Sequence, residues 1–404
     1  MGTIRDLAER FWKGDDESAH PFAPQLAVEE IAAHVAFVSS FANVTAIDTD
    51  EGLVLVDTGS FVLAAPTKGL VRIFSKRQLH TAVFTHGHVD HCFGVDLYEA
   101  EGGPARVVAH DAVPSRFDRY KATGGYNACI NARQFQTSAS WPTTFRYPDV
   151  TFASDLALDV GGVRFELHHA RGETDDATWV WLPDQRVVCT GDLFIWATPN
   201  AGNPQKVQRY AIDWAHALRT MAALGAETMC PGHGPPIFGA DRVRRAFEET
   251  ATLLESLHTQ TLALMNEGAT LDRVLAEVKA PVDLLERPYL RPIYDEPEFI
   301  VRNIWRLYGG WYDGNPAHLK PGTDRALATE IATLSGGAKK LIDRARELAS
   351  EGDLAVACHL AEMAHLAAPS DDGIAKARAA IYRTRADAET SLMAKGIYRS
   401  AAGD

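Results

Sequence analysis

Residues 85–91 read Thr-His-Gly-His-Val-Asp-His, which places His86, His88, Asp90 and His91 within six residues. Neutral imidazole and carboxylate are the donors zinc prefers, in tetrahedral or five-coordinate geometry. A lone histidine is ordinarily a satisfied polar side chain. Three histidines and an aspartate directly after an apolar run form a dense ligand set. Gly87 is expected to let the chain bend so that His86 and His88 converge on one ion. Asp90 and His91 are expected to open the next helix and face a neighbouring position. Metal-assisted hydrolysis is the chemistry such a cluster serves.

Short apolar runs must carry these residues. Thr81–His86 (TAVFTH) reads as a strand that runs straight into the cluster. Upstream, residues 34–59 hold two β-branched apolar runs around the turn-like Asp48–Gly52, the pattern of a two-stranded hairpin. RVVAH, VRFELHHA, TWVWLP and RVVCTGD read as further strands, with helices around Pro66–Arg77 and Ile212–Leu224. The first 240 residues are therefore of α/β type. Later the pattern turns helical: Arg242–Gly268, then a proline-rich irregular connector over 280–297, then Glu298–Leu307. Gly309–Pro316 (GGWYDGNP) must be a turn, because Asp-Gly-Asn-Pro cannot continue a helix. Thr323–Lys395 reads as three helical stretches broken at Gly352-Asp353 and Pro369–Asp372, with loosely TPR-like pairs. Two domains are expected, 1–240 and 241–404.

Composition is that of a soluble globular protein, 46% hydrophobic and 23% charged over 404 residues. No apolar run is long enough to span a membrane. The N-terminal MGTIRDLAERFWKGDDE alternates charge and reads as a surface helix, not a signal peptide. A net charge of −13 argues against nucleic acid as partner. Five cysteines (Cys92, Cys129, Cys189, Cys230, Cys358), an odd number without a CxxC, fit a reducing cytoplasm better than a disulfide framework.

The HxHxDH run after a strand resembles the metallo-β-lactamase fold superfamily. Leu55–Gly59 (LVDTG) is similar to its strand-ending Asp motif. Ala170–Thr174, Thr190-Gly191-Asp192 and Pro231–Gly234 follow in the superfamily's order. The resemblance implies an αββα sandwich followed by a mostly helical C-terminal domain, and two metal ions, with zinc first among the divalent metals. Carried over, His86, His88 and Glu173 hold one ion, and Asp90, His91 and His233 the other. Asp192 bridges them, Asp57 orients ligands, and Asp90 and Asp192 are the catalytic carboxylates. Glu173 stands where histidine is common; Asp175 or Asp176 is the alternative ligand. A glutamate there is similar to the alkylsulfatase branch. Arg302–Trp305 with Gly310–Pro316, and later Leu334–Ala338 with Gly352–Ala355, resemble the alkylsulfatase dimerisation domain. A homodimer follows from that resemblance.

Two departures bear on the substrate. Family enzymes carry a further lipid-carrier-like domain that these residues do not show. They also grip sulfate with Asn and Arg after the bridging carboxylate. Here Asn200 or Asn203 could serve, but the nearest basic residues are Lys206 and Arg209. Lysine lacks the planar fork that matches an oxyanion. Tyr126, Asn127, Asn131 and Arg133, in the stretch 124–135, are further candidates for substrate contact, or else form a surface helix. Trp181, Trp196 and Trp214 suit the core as well as a site wall. The expected activity is therefore sulfate-ester hydrolysis on a small molecule. Another ester, lactone or phosphodiester on the same scaffold is its nearest rival. A flavin-linked di-iron oxidoreductase lacks a phosphate-binding loop here. A non-catalytic module conflicts with seven ligating side chains in place.

Overall fold

The computed structural model describes residues 3–15, 20–137 and 140–403. They form two compact units. The first comprises Met1–Gly124, Trp141–Ala269 and Arg273–Gly310; the second comprises Gly125–Ser140, Thr270–Asp272 and Trp311–Asp404.

Helix α1 (Ile4–Lys13) opens the first unit, and two sheets form its centre. One sheet has the order β1 (Ala27–Ala32), β2 (Val35–Ser39), β3 (Val44–Thr49), β4 (Gly52–Val56), β5 (Leu79–Val83), β6 (Arg106–His110) and β7 (Val150–Phe152). The other runs from β8 (Asp155–Val160) through β9 (Val163–His169), β10 (Thr178–Leu182), β11 (Val187–Gly191) and β12 (Thr228–Pro231) to β13 (Ile237–Phe238). Strands β1 to β4 pair antiparallel; β4 to β7 pair parallel. Parallel neighbours need crossover helices. These are α2 (Ala64–Phe74), α3 (Val95–Gly102) and the pair α4 (Val113–Ala122) and α5 (Gly124–Phe135). In the other sheet α6 (Ala211–Ala222) crosses between the parallel strands β11 and β12.

Side-chain alternation sorts the strands into layers. Val35, Phe37, Ile47, Val54 and Val56 join Phe165, Leu167, Val180, Leu182 and Cys189 in one core between the sheets. The intervening Val38, Ala46, Leu53 and Leu55 turn outward against Val71 of α2, Tyr98 of α3 and Phe117 of α4. On the far side α7 (Ala240–Asn266) packs on β12 and β13 and pairs with α6. The result is a helix–sheet–sheet–helix sandwich, as the resemblance implies. After it come α8 (Leu271–Glu277), α9 (Val282–Leu285) and α10 (Pro297–Gly309).

The second unit adds α11 (Asp324–Ser335), α12 (Ala338–Glu351), α13 (Leu354–Ala367), α14 (Asp372–Ala388) and α15 (Leu392–Ala402). Small buried residues, among them Ala345, Ala357, Ala361, Ala364 and Ala377, let these helices close on one another.

Two expectations are corrected. Residues 34–59 form three strands, not a two-stranded hairpin, because Ser40–Asn43 interrupts the first run and β2 pairs with β3. The three helical stretches after Thr323 are five helices. Gly336 and Gly337 at φ 88° and 115° end α11, and the Ser391 side chain caps α15. An alanine-rich run hides such breaks, since its composition stays helical across them.

Close packing makes one glycine in the second unit indispensable. A Cβ on Gly396 would stand 2.2 Å from the Gln134 carbonyl oxygen, whereas one on helical Gly69 meets nothing within 4 Å. Gly396→Ala is expected to destabilise by about 1–3 kcal/mol, and Gly69→Ala to stabilise by about 0.5–1 kcal/mol. Denaturant midpoints check both; a Gly396→Ala midpoint at or above the parent's would contradict this packing.

Candidate metal centre

The candidate ligands sit in loops at the carboxyl ends of strands: Asp57 after β4, His86 to His91 after β5, Asp192 after β11 and His233 after β12. Glu173 comes from the β9–β10 loop. Hydrogen bonds staple the histidine loop to the end of β4. The Thr58 N–H donates to the His91 carbonyl at 2.7 Å, and the Gly94 N–H to the Thr58 hydroxyl at 3.0 Å. Asp57 holds a left-handed backbone at φ 59° and is buried. Its carboxylate accepts the Thr85 N–H at 2.7 Å and the Thr85 hydroxyl at 2.8 Å, and lies 2.7 Å from His91 Nδ1.

These contacts set the imidazole tautomers. His91 Nδ1 faces the Asp57 carboxylate, His233 Nδ1 the Phe41 carbonyl at 2.5 Å, and His86 Nδ1 the Thr85 hydroxyl at 3.0 Å. With the Nδ1 protons held there, all three Nε2 lone pairs face the centre, the arrangement metal-binding histidines use. His88 enters with Nδ1, 2.8 Å from His86 Nε2.

Two ligand groups result: His86, His88, Glu173 and Asp192, and Asp90, His91 and His233. Asp192 serves both. Its Oδ1 lies 3.3 Å from His91 Nε2 and 3.5 Å from His233 Nε2, while its Oδ2 lies 3.7 Å from His86 Nε2. Asp90 Oδ2 lies 3.7 Å from His91 Nε2 and 3.5 Å from His233 Nε2. Glu173 Oε2 lies 3.5 Å from His88 Nδ1 and 3.8 Å from His86 Nε2.

A pair of divalent cations fits this donor set. His91 Nε2, Glu173 Oε2 and Asp192 Oδ1 are buried and hydrogen-bond to nothing among the described residues. Such atoms are expensive to bury unless a partner satisfies them. The ionisation pattern agrees. Burial, helped by the neighbouring His91, holds His86 down at about 4, and burial puts His88 well below its ordinary range. Burial also opposes charge on His233, yet the Asp192 and Asp90 carboxylates hold it up at about 10. Burial raises Glu173 to about 8, against the pull of Arg209. The first histidine pair is thus neutral, as ligands must be, and Glu173 favours its protonated form where positive charge is missing.

Glu173 is fixed through its other oxygen. Oε1 pairs with Arg209 Nη1 at 2.6 Å and accepts from Asn200 Nδ2. The alternatives are engaged elsewhere: Asp176 pairs with Arg116 at 2.6 Å and accepts the Gly87 N–H at 3.1 Å, and Asp175 also pairs with Arg116.

The expectation for Gly87 changes in its reason. Its φ is not left-handed; a Cβ would meet Arg116 Cδ at 2.9 Å and Asp176 Oδ2 at 3.1 Å. Glycine is needed for close approach there, not for bending. Nor do Asp90 and His91 open a helix. They lie in a turn and α3 begins at Val95, because the Thr58 staples hold residues 91–94 against β4.

Among the substrate candidates, Arg209, Asn200 and Asn203 are buried. Lys206 Nζ stands 5.6 Å from the Trp141 ring centre. Burial and the Arg209 charge pull the ammonium down to about 8. Tyr126, Asn127, Asn131 and Arg133 lie on α5 within the second unit, with Tyr126 exposed and Asn127 buried. Trp181, Trp196 and Trp214 are core residues; Trp196 donates to the Pro235 carbonyl at 2.6 Å and Trp214 to the Leu193 carbonyl at 2.8 Å.

Sequence reasoning missed Asn43. Its side chain donates to the carbonyls of Pro231 at 3.0 Å and Gly234 at 2.8 Å, bracketing His233. A single Asn between two strands carries no signal of that role. Gly232 is equally tied to the site, since a Cβ there would stand 2.1 Å from Asp192 Oδ1.

Removing the Asp57 charge tests the orienting network. Asp57→Asn is expected to weaken metal binding about 10- to 100-fold, measured by competition against a chromophoric chelator. Unchanged affinity in a folded variant would remove Asp57 from the account.

Comparisons with known proteins agree with this fold. The family described as Metallo-beta-lactamase superfamily matches residues 39–233, and that described as Alkyl sulfatase dimerisation matches residues 270–404. A linear primary-alkylsulfatase of Pseudomonas is 28% identical over 82% of this chain and 67% of its own length. An (R)-specific secondary-alkylsulfatase of Pseudomonas is 27% identical over 82% of this chain and 55% of its own. The solved structure of the stereoselective inverting sec-alkylsulfatase Pisa1 from Pseudomonas superposes with a TM-score of 0.83 at 23% identity, over 93% of this chain and 65% of that one. The chain thus spans between about half and two thirds of the length of these relatives. Along one fold, then, residues 39–233 belong to the metallo-β-lactamase superfamily and residues 270–404 to the alkyl sulfatase dimerisation family, in that order.

Proposed function

We propose that this protein is a binuclear zinc hydrolase of sulfate esters. The observation that carries the reading is Asp192, whose two oxygens face two separate ligand groups at 3.3 and 3.7 Å. Nitrogen and oxygen donors of this kind suit zinc. When bound, two such ions supply Lewis acidity at both the attacking and the leaving oxygen.

The chain's own residues do the rest. Asp57, Thr85 and the Phe41 carbonyl keep the Nδ1 protons of three histidines, so their Nε2 lone pairs stay directed at the centre. Asp90 and Asp192 are the carboxylates beside the reacting water. Arg209 is engaged by Glu173, so we assign the sulfate charge to Lys206, with Asn200 and Asn203 beside it. Phe22, Ile195 and Ala197, with Phe41, Ile293 and Tyr294, form an apolar cluster next to His233. That cluster suits the apolar alcohol of an alkyl ester. The relatives' names point to alkyl sulfates as the class to test.

We further propose a homodimer through the region matched to alkyl sulfatase dimerisation. A cytoplasmic location fits the free cysteines, and no helix is long and apolar enough to cross a membrane among the described residues. In this reading residues 1–240 carry the catalytic portion and 241–404 the helical one, of which α7 and α10 fold with the first unit.

Purified protein should release sulfate from alkyl sulfates of some chain length and leave lactones and phosphodiesters untouched. No sulfate from any chain length would sink the assignment. His88→Ala should reduce turnover to background while the dimer persists in gel filtration; full turnover from the folded variant would contradict it. Lys206→Ala should raise KM roughly tenfold or more, the loss expected for one charged hydrogen bond. An unchanged KM would place the sulfate elsewhere.

A further inference from the structure

Glu173 is held by Arg209 and Asn200, which share one loop. Residues 197–209 contain no helix or strand. The segment is instead clamped from the side by residues 290–306, far along the chain. The Thr198 N–H donates to the Arg291 carbonyl at 2.9 Å, and its hydroxyl to the Leu290 carbonyl at 2.7 Å. Asp295 is fully buried, and its Oδ2 accepts the N–H groups of Gly202 at 2.6 Å and Asn203 at 3.2 Å. Its Oδ1 accepts the Glu296 N–H at 2.8 Å. Buried Asn303 donates to the carbonyls of Ala201 at 2.7 Å and Arg209 at 3.0 Å. Gly202 seals the contact, because a Cβ there would stand 2.4 Å from the Phe299 carbonyl carbon.

Thr198 thus secures the start of the segment, Asp295 its middle at Gly202-Asn203, and Asn303 both Ala201 and Arg209. The Arg209 guanidinium reaches both the Asn200 carbonyl at 2.7 Å and Glu173 Oε1 at 2.6 Å. A buried carboxylate beside a buried guanidinium is held by geometry; shifting either partner by an ångström exposes an unpaired charge. We propose that Asp295 and Asn303 are positioning residues for the Glu173 metal position. They act through Asn200 and Arg209, so that Oε1 stays occupied and only Oε2 is presented to the ion beside His86 and His88. The hydrogen bonds made by Asp295 and Asn303 do not reach the other ligand group, Asp90, His91 and His233, which is predicted to keep its affinity. The proposal rests on the two-metal reading of the site, not on the identity of the ester. It also gives the segment 290–306, inside the region matched to alkyl sulfatase dimerisation, a task at the metal centre.

Zinc titrated calorimetrically into chelator-stripped, full-length protein tests it without any activity assay. The parent is expected to bind two ions. Asn303→Ala should keep one binding step unchanged and weaken the other about tenfold or more. Arg302→Ala, which removes a side chain paired at the surface with Glu298 at 2.8 Å, should match the parent. Should Asn303→Ala not fold, Asp295→Asn decides. It keeps the shape and removes the charge, and it should weaken the same single step. A folded variant with two unchanged steps overturns the proposal. Equal weakening of both steps overturns it too, by showing a general loss of structure. A parent that binds no zinc overturns the two-metal reading and the proposal with it.

Discussion

Everything around the centre follows from one electrostatic constraint. Asp90, Glu173 and Asp192 are brought within reach of four imidazoles in a largely buried space, and three of the donor atoms there have no hydrogen-bond partner among the described residues. Burying several carboxylates without compensation is prohibitively unfavourable. Some compensation is internal, from Arg209 on Glu173 and from the protons that Asp192 and Asp90 draw onto His233. The remainder calls for cations with two centres, because Asp192 turns one oxygen to each ligand group.

The scaffold serves this constraint by supplying rigid exits. Parallel strands end side by side, so β4 and β5 deliver Asp57 and the histidine loop, and β11 and β12 deliver Asp192 and His233. Glycines fill the places where the loops come closest: Gly87 against Arg116, Gly94 against the Thr58 carbonyl and Gly232 against Asp192. Hydrogen bonds accepted by the Asp57 carboxylate and the Phe41 carbonyl then fix ring orientations that the strands alone leave open, and Asn43 holds the backbone on either side of His233.

Much of this was legible in the sequence, for physical reasons. Strand-forming apolar runs and a dense HxHxDH are local signals, and the α/β pattern and its histidine cluster could be read from them, while the two-sheet sandwich came with the family resemblance. Boundaries were less legible. Three adjacent strands over 34–59 looked like a pair, and five alanine-rich helices looked like three stretches. The parts that depend on contacts between distant segments were not legible at all. Asn303 lies in Arg302–Trp305, a stretch that stood out only as a resemblance, yet its side chain reaches Arg209, 94 residues away in sequence. Asp295 sat unnoticed in a proline-rich connector. The basic residue near the site was visible, but its engagement by Glu173 was not. Under the proposed function that engagement leaves the sulfate charge to Lys206, which would bind an oxyanion as a point charge and not as a fork.

The central claim is that two ions share Asp192. Crystals grown with zinc and measured on both sides of the zinc absorption edge address it directly. Two anomalous peaks about 3.5–4 Å apart are predicted, one beside His86, His88 and Glu173 and the other beside Asp90, His91 and His233, with an Asp192 oxygen on each. A single peak, or a second peak away from Asp192, would contradict the account.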